Sequence, residues 1–129
     1  MQTLVLIDSN IFISHLRANR DPIREIGKIM DLENIVSCGV VRAEVLRGVK
    51  SLKVCSRLEA FFAITRNVPT SDSLWDEVWM LAWRLDRCGQ VMPLADVIIA
   101  CSALRAGAAV LTADAHFKWV PGLHVVAAG

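Results

Sequence analysis

The chain has no stretch long enough to cross a bilayer. Its longest uncharged run, residues 119–129, is eleven residues, against the roughly 20 that a spanning helix needs. No basic, apolar and small-residue leader precedes the first apolar segment, so the expectation is a soluble, cytoplasmic protein without a membrane partner. Cysteine is sparse and scattered. Cys38, Cys55, Cys88 and Cys101 form no CxxC pair and have no histidine at ligand spacing, which argues against zinc. Each falls in an apolar segment, where a reduced thiol acts as a small hydrophobe, and free structural cysteines fit a cytosolic chain better than disulfides do. No glycine-rich loop follows the first apolar run, which sets aside a phosphate-loop nucleotide-binding module. Internal repeats and low-complexity tracts are absent, and a net charge of +1 decides nothing about nucleic acid.

What is present is an apolar chain of 129 residues, 54% hydrophobic. That length predicts a single domain spanning residues 1–129. The high apolar share predicts more hydrophobic surface than one monomer can hide, hence a partner. Residues 3–7 are nearly all aliphatic, as in a strand covered on both faces. Further strands are expected at 35–38, 67–69, 108–111 and 123–126. Helices are expected from Ser9, from Pro22 behind an Asp21 cap, over 40–49 and 51–65, from a Ser71 or Asp72 cap to Gly89, and over 95–106. Alternating strands and helices predict a three-layer α/β/α sandwich with a mostly parallel sheet, in which helix exceeds strand.

Four acids stand apart from the other nine. Asp8 ends the first strand, Glu44 lies in VVRAEVLRG, Asp96 opens the very apolar PLADVIIACSAL, and Asp114 follows the fourth strand. Each alone reads most simply as a helix cap or a turn residue. Together they read differently, because a parallel sheet brings Asp8, Glu44 and Asp114 out at the edge where such sheets bind ligands. Clustered carboxylates resist ionising side by side unless a cation neutralises them. Hard oxygen donors suit Mg²⁺ or Mn²⁺, and an ion so held supports hydrolysis of a phosphate ester.

The segments LVLIDSN, RAEVLRG, ADVIIA and TADAHF followed by VPGL, in that order, resemble PIN-domain nucleases, and more narrowly the VapC toxins of bacterial and archaeal toxin–antitoxin pairs. The resemblance runs from residue 1 to about residue 126. It implies a PIN-like fold, a Mg²⁺- or Mn²⁺-dependent endoribonuclease acting on RNA, a VapB-like antitoxin whose C-terminal segment wraps the toxin and approaches the active site, and a homodimer. It places the metal-binding and catalytic acids at Asp8, Glu44, Asp96 and Asp114, with Glu44 either a ligand or the base that takes a proton from the attacking water. Asn10 and Thr112 match polar positions that orient those acids. Ala115 replaces a polar residue that some members carry, which leaves one metal or two open.

Residues 42–57 hold five basic side chains against the single Glu44. Given the resemblance, Arg42, Arg47 and Lys50 are candidates for tracking the RNA backbone. His116, two residues after Asp114, is read as structural, and His15 and His124 as packed. Trp75, Trp79 and Trp83 recur every four residues and are read as core or dimer interface rather than a base-stacking platform. Two other readings compete with the nuclease. A haloacid-dehalogenase-like phosphatase needs a second Asp where this chain has Asn10; a PIN-fold module that binds RNA or protein without cutting stays open.

Overall fold

The computed structural model describes residues 3–128; Met1, Gln2 and Gly129, at the two ends of the expected domain, lie outside the described residues. Five short strands form one fully parallel sheet: β1 (Val5–Ile7), β2 (Ile35–Cys38), β3 (Arg66–Val68), β4 (Ala109–Thr112) and β5 (Val125–Ala127), in the order β3-β2-β1-β4-β5. Parallel strands need crossovers, and here helices supply them. The helices are α1 (Ser9–Arg17), α2 (Pro22–Gly27), α3 (Gly39–Arg47), α4 (Leu52–Ile64), α5 (Asp72–Arg87) and α6 (Leu94–Ala106). The result is the α/β/α sandwich expected, with helix in excess.

Local chemistry sets most boundaries. Asp21 accepts from the backbone N–H groups of Ile23 and Arg24, with Pro22 at the first helical position. Ser51 and Ser71 cap α4 and α5 in the same way. Gly107, at φ +66°, closes α6 in the left-handed conformation that a side chain resists. Helix α2 stops at Gly27, earlier than its apolar pattern predicts, and Ile29 beyond it is 67% exposed.

The core is continuous from sheet to helices. Val36, Leu6 and Val110, on three neighbouring strands, are fully buried. Phe12 of α1 meets Phe61 and Phe62 of α4, with ring centroids 6.2 and 5.4 Å away. Seven consecutive residues of α6, from Val97 to Ala103, are buried, as in a helix enclosed on all sides. It touches β1, β2, β3 and β4, and α5 packs along it. Among the described residues no helix is long and apolar enough to cross a membrane.

Three expectations about side chains need correction. Of the two places expected for Trp75, Trp79 and Trp83, core or dimer interface, the core is excluded: they are 43%, 58% and 54% exposed, on a face of α5 turned away from its buried Leu74, Val78 and Leu85. Arg87 lies over the Trp83 ring at 4.7 Å. Cys38 and Cys101 are buried as expected, but Cys55 is half-buried and Cys88 exposed; all four are free thiols. His124 is exposed rather than packed, and His15 is half-buried.

Candidate functional site

The chain leaves β1 toward β2 and β3 on one side and later returns to lay β4 and β5 on the other. The direction of strand addition therefore reverses at β1, and the carboxyl ends of β1 and β4 bound the crevice that such a reversal opens. Asp8 follows β1 directly. Strand β4 runs one residue further than expected, through Thr112, so Asp114 stands two residues past its end. Glu44 sits mid-way along α3 behind β2, and Asp96 in the first turn of α6; α3 and α6 are in contact.

None of the three acids placed at a helix start acts as a cap. Asp8 occupies the N-cap of α1 in extended backbone, yet its side chain makes no capping hydrogen bond. Asp114 is likewise a non-bonding N-cap of the 3₁₀ turn Ala115–Trp119. Asp96 lies inside α6, whose N-cap is Pro93, without a side-chain cap. Their carboxylates turn to one another's neighbourhood instead. The Thr112 hydroxyl donates to Asp8 Oδ2 at 2.7 Å and accepts the backbone N–H of Asp114 at 3.0 Å. Asn10 Nδ2 donates to Asp114 Oδ2 at 3.3 Å and, less closely, to Thr112 Oγ1 at 3.4 Å. Ser9 Oγ donates to Glu44 Oε1 at 3.0 Å, with Asp8 Oδ1 3.5 Å away. His116 Nε2 lies 2.8 Å from Asp96 Oδ2 and 4.0 Å from Asp114 Oδ2.

The four predicted acids and both predicted polar supports are thus gathered at one edge. Electrostatics mark the gathering. Burial pushes the Asp8 carboxyl up to about 6, opposed by the Thr112 hydrogen bond and reinforced by the charges of Asp96 and Asp114. Burial also raises Asp96, partly offset by His116, with Asp114 and Glu44 adding to the rise. Among the described residues no lysine or arginine forms an ion pair with any of the four. Negative charge is therefore concentrated with no lysine or arginine paired to it. The oxygen-rich donor set and the buried, unpartnered Asn10 Oδ1 beside Asp114 fit a hard divalent cation.

Two residues of this edge were not anticipated. Ser9 is 7% exposed and ties Glu44 to the start of α1; its only signal in the sequence is adjacency to Asp8. His116 was read as structural, but the 3₁₀ turn carries it onto Asp96. Of the basic candidates, Arg47 and Lys50 are exposed, whereas Arg42 is half-buried with its Nε unpartnered. Lys50 alone of the three lines a groove of about 830 Å³ between α1, α2, α3 and α4, which reaches Glu44. That groove has an apolar floor, including Leu16, Val45 and Leu58, and its rim carries Arg17, Arg20, Lys53 and Arg57.

A family model described as PIN domain matches residues 5–123. No curated protein matches the chain at a significant level. Several solved structures are similar in fold. One is VapBC2 from Rickettsia felis bound to a DNA fragment from its promoter, with a TM-score of 0.77 at 20% identity, covering 97% of this chain and 98% of that one. Another is DNA-bound VapBC from Salmonella typhimurium, TM-score 0.78 at 20% identity, covering 98% of each. A third is VapBC-1 from nontypeable Haemophilus influenzae, TM-score 0.74 at 20% identity, covering 97% and 98%.

Proposed function

Because the chain belongs to the PIN domain family, we propose that it is a Mg²⁺- or Mn²⁺-dependent endoribonuclease, built as one nuclease domain, and the toxin of a VapBC-type toxin–antitoxin pair. The observation that carries this reading is the convergence of Asp8, Glu44, Asp96 and Asp114 at the sheet's reversal point with no lysine or arginine paired to them. Asp8, Asp96 and Asp114, with Glu44 beside them, would hold the ion. When bound, it would supply Lewis acidity to a phosphoryl oxygen and to the attacking water.

The chain's own residues do the rest. Thr112 fixes the Asp8 carboxylate by a 2.7 Å hydrogen bond, and Asn10 steadies Asp114. Ser9 orients Glu44, leaving its second oxygen to accept a proton from water. The N-terminus of α1, which starts at Ser9, favours the negative charge of the scissile phosphate. Lys50 and Arg47, exposed beyond Glu44, extend positive charge along the RNA backbone, with Arg42 nearer the core.

The partner reading rests on the groove. Its apolar floor and basic rim fit an extended segment with apolar and acidic side chains, and its end at Glu44 would bring that segment to the site. A VapB-like antitoxin is the partner, since the similar structures named above are VapBC complexes. A second copy of this chain would cover the exposed Trp75, Trp79 and Trp83. A soluble, cytoplasmic location goes with that role.

The test is cleavage of a single-stranded RNA pool by the purified protein. Mn²⁺ or Mg²⁺ should support it, EDTA should stop it, and the product of a short neighbouring gene should inhibit it. Cleavage that persists in EDTA, or none with either ion, would overturn the reading.

A further inference from the structure

The surroundings of His116 extend beyond its one hydrogen bond, which is to Asp96. Its Nε2 is 2.8 Å from Asp96 Oδ2 and 4.0 Å from Asp114 Oδ2. The second separation exceeds any hydrogen bond, yet donor atoms of all three residues fall within 4.8 Å of one another. An ion with six ligands at about 2.1 Å sets neighbouring ligands about 3.0 Å apart and opposite ones about 4.2 Å apart. The two separations from His116 Nε2, 2.8 and 4.0 Å, stand near those spacings.

The imidazole is also held in place. Its ring stacks on Phe117 with centroids 5.2 Å apart and an interplanar angle of 29°, and Trp119 flanks it at 5.9 Å. Phe117 is fully buried, so the 3₁₀ turn that presents His116 is anchored in the core. A ligand fixed this way gives up little rotamer freedom when it coordinates. Coordination through Nε2 needs the ring hydrogen on Nδ1, which leaves the Nε2 lone pair free for an ion.

We propose that His116 is a nitrogen ligand of the ion held at Asp96 and Asp114, and that it biases the site toward Mn²⁺ over Mg²⁺. The inference rests on the nuclease reading above for the presence of an ion, and adds the donor that sets its identity. Carboxylate oxygens serve both ions, whereas Mg²⁺ keeps to oxygen ligands and waters, so that an imidazole nitrogen favours the first-row transition ion.

The test uses the full chain with Mn²⁺ as the probe, and two measurements that do not depend on RNA cleavage. Pulsed electron paramagnetic resonance of the Mn²⁺-loaded protein should show coupling to a directly bound ¹⁴N, absent in His116→Gln. Calorimetry should show Mn²⁺ affinity falling roughly tenfold or more in that variant, with Mg²⁺ affinity changed less than about threefold. Glutamine keeps an N–H that can donate to Asp96, so a residue that only orients Asp96 would lose little for either ion. Bound Mn²⁺ without nitrogen coupling, or an equal fall for both ions, overturns the proposal and leaves the nuclease reading standing. Failure of the wild-type chain to bind Mn²⁺ or Mg²⁺ at all overturns both.

Discussion

Asp8 and Asp21 hold the same station in the chain. Each is the residue before an α-helix, each has extended backbone, and each follows an irregular or strand segment. Asp21 does what that position invites: it caps α2 and pairs with Arg57 at 2.7 Å. Asp8 declines the cap, is 2% exposed, and takes its hydrogen bond from Thr112, 104 residues away. Asp31, capping the short 3₁₀ turn Leu32–Asn34, repeats the first pattern; Asp114 repeats the second. An acid that satisfies its own helix serves the fold. One that leaves the helix unsatisfied and sits among other acids works against the fold, and its presence calls for another account.

The largest effect that tests this contrast is on cleavage. Asp8→Asn should lower metal-dependent RNA cleavage about a thousandfold or more, because the ion it is proposed to hold would supply several kcal/mol of transition-state stabilisation. Asp21→Ala should leave cleavage within about twofold at a temperature where both variants are folded. A quenched fluorescent RNA read in Mn²⁺ checks both. Equal losses would mean that the two acids are not distinct in kind.

The next effect is on stability and has the opposite sign from the usual buried-carboxylate loss. Asp8 keeps its proton to about pH 6 in the folded chain, but only to its ordinary 3.8 when unfolded. Between those values the folded state holds more protons, so stability falls as pH rises through the window. The shift from 3.8 to about 6 corresponds to roughly 3 kcal/mol, present in full below 3.8 and lost above 6. In the metal-free protein, Asp8→Asn should therefore be more stable than wild type at pH 8 by up to about 3 kcal/mol, with the gain vanishing near pH 3.5. Urea unfolding at both pH values measures it. A variant less stable at pH 8 would show that the carboxylate is compensated within the fold.

Asp21→Ala provides the counterpart, a loss of about 1 kcal/mol from the missing cap. Its ion pair with Arg57 is partly solvent-exposed and adds little. The loss should be the same with and without Mn²⁺.

The contrast also explains which parts of this molecule were legible in its sequence. Caps, turns and aliphatic strands are local, so the Asp21–Pro22 start, the Ser71 cap and the strand residues 35–38 could be read within a residue or so. The four acids were separable because they lie in apolar company, and their order along the chain carried the family resemblance. Partner choice was not legible: nothing near Asp8 distinguishes it from a cap, since its donor arrives from β4. The contact of His116 with Asp96 was not legible for the same reason, as only the 3₁₀ turn after Asp114 brings it to α6. Between core and interface, the place of the tryptophans turned on phase. Trp75, Trp79 and Trp83 each lie one residue, or about 100° of helix, beyond the row that contains the buried Leu74 and Val78. Two apolar stripes run along α5, and the sequence cannot say which one the sheet side takes.

The smallest expected effect sharpens the comparison most. Asp114 belongs with Asp8 by proposed role but not by burial: its side chain is 48% exposed, so its charge remains largely solvated. Asp114→Asn keeps an oxygen to accept from Asn10 and keeps the backbone N–H that donates to Thr112. Its loss of stability without metal should therefore stay within about 0.5 kcal/mol, while cleavage falls as steeply as in Asp8→Asn. Thermal unfolding beside the RNA assay separates the two readouts. An acid that can be neutralised without moving the folding equilibrium, but not without losing the reaction, holds no structural duty; a destabilisation above 1 kcal/mol would return Asp114 to the company of Asp21.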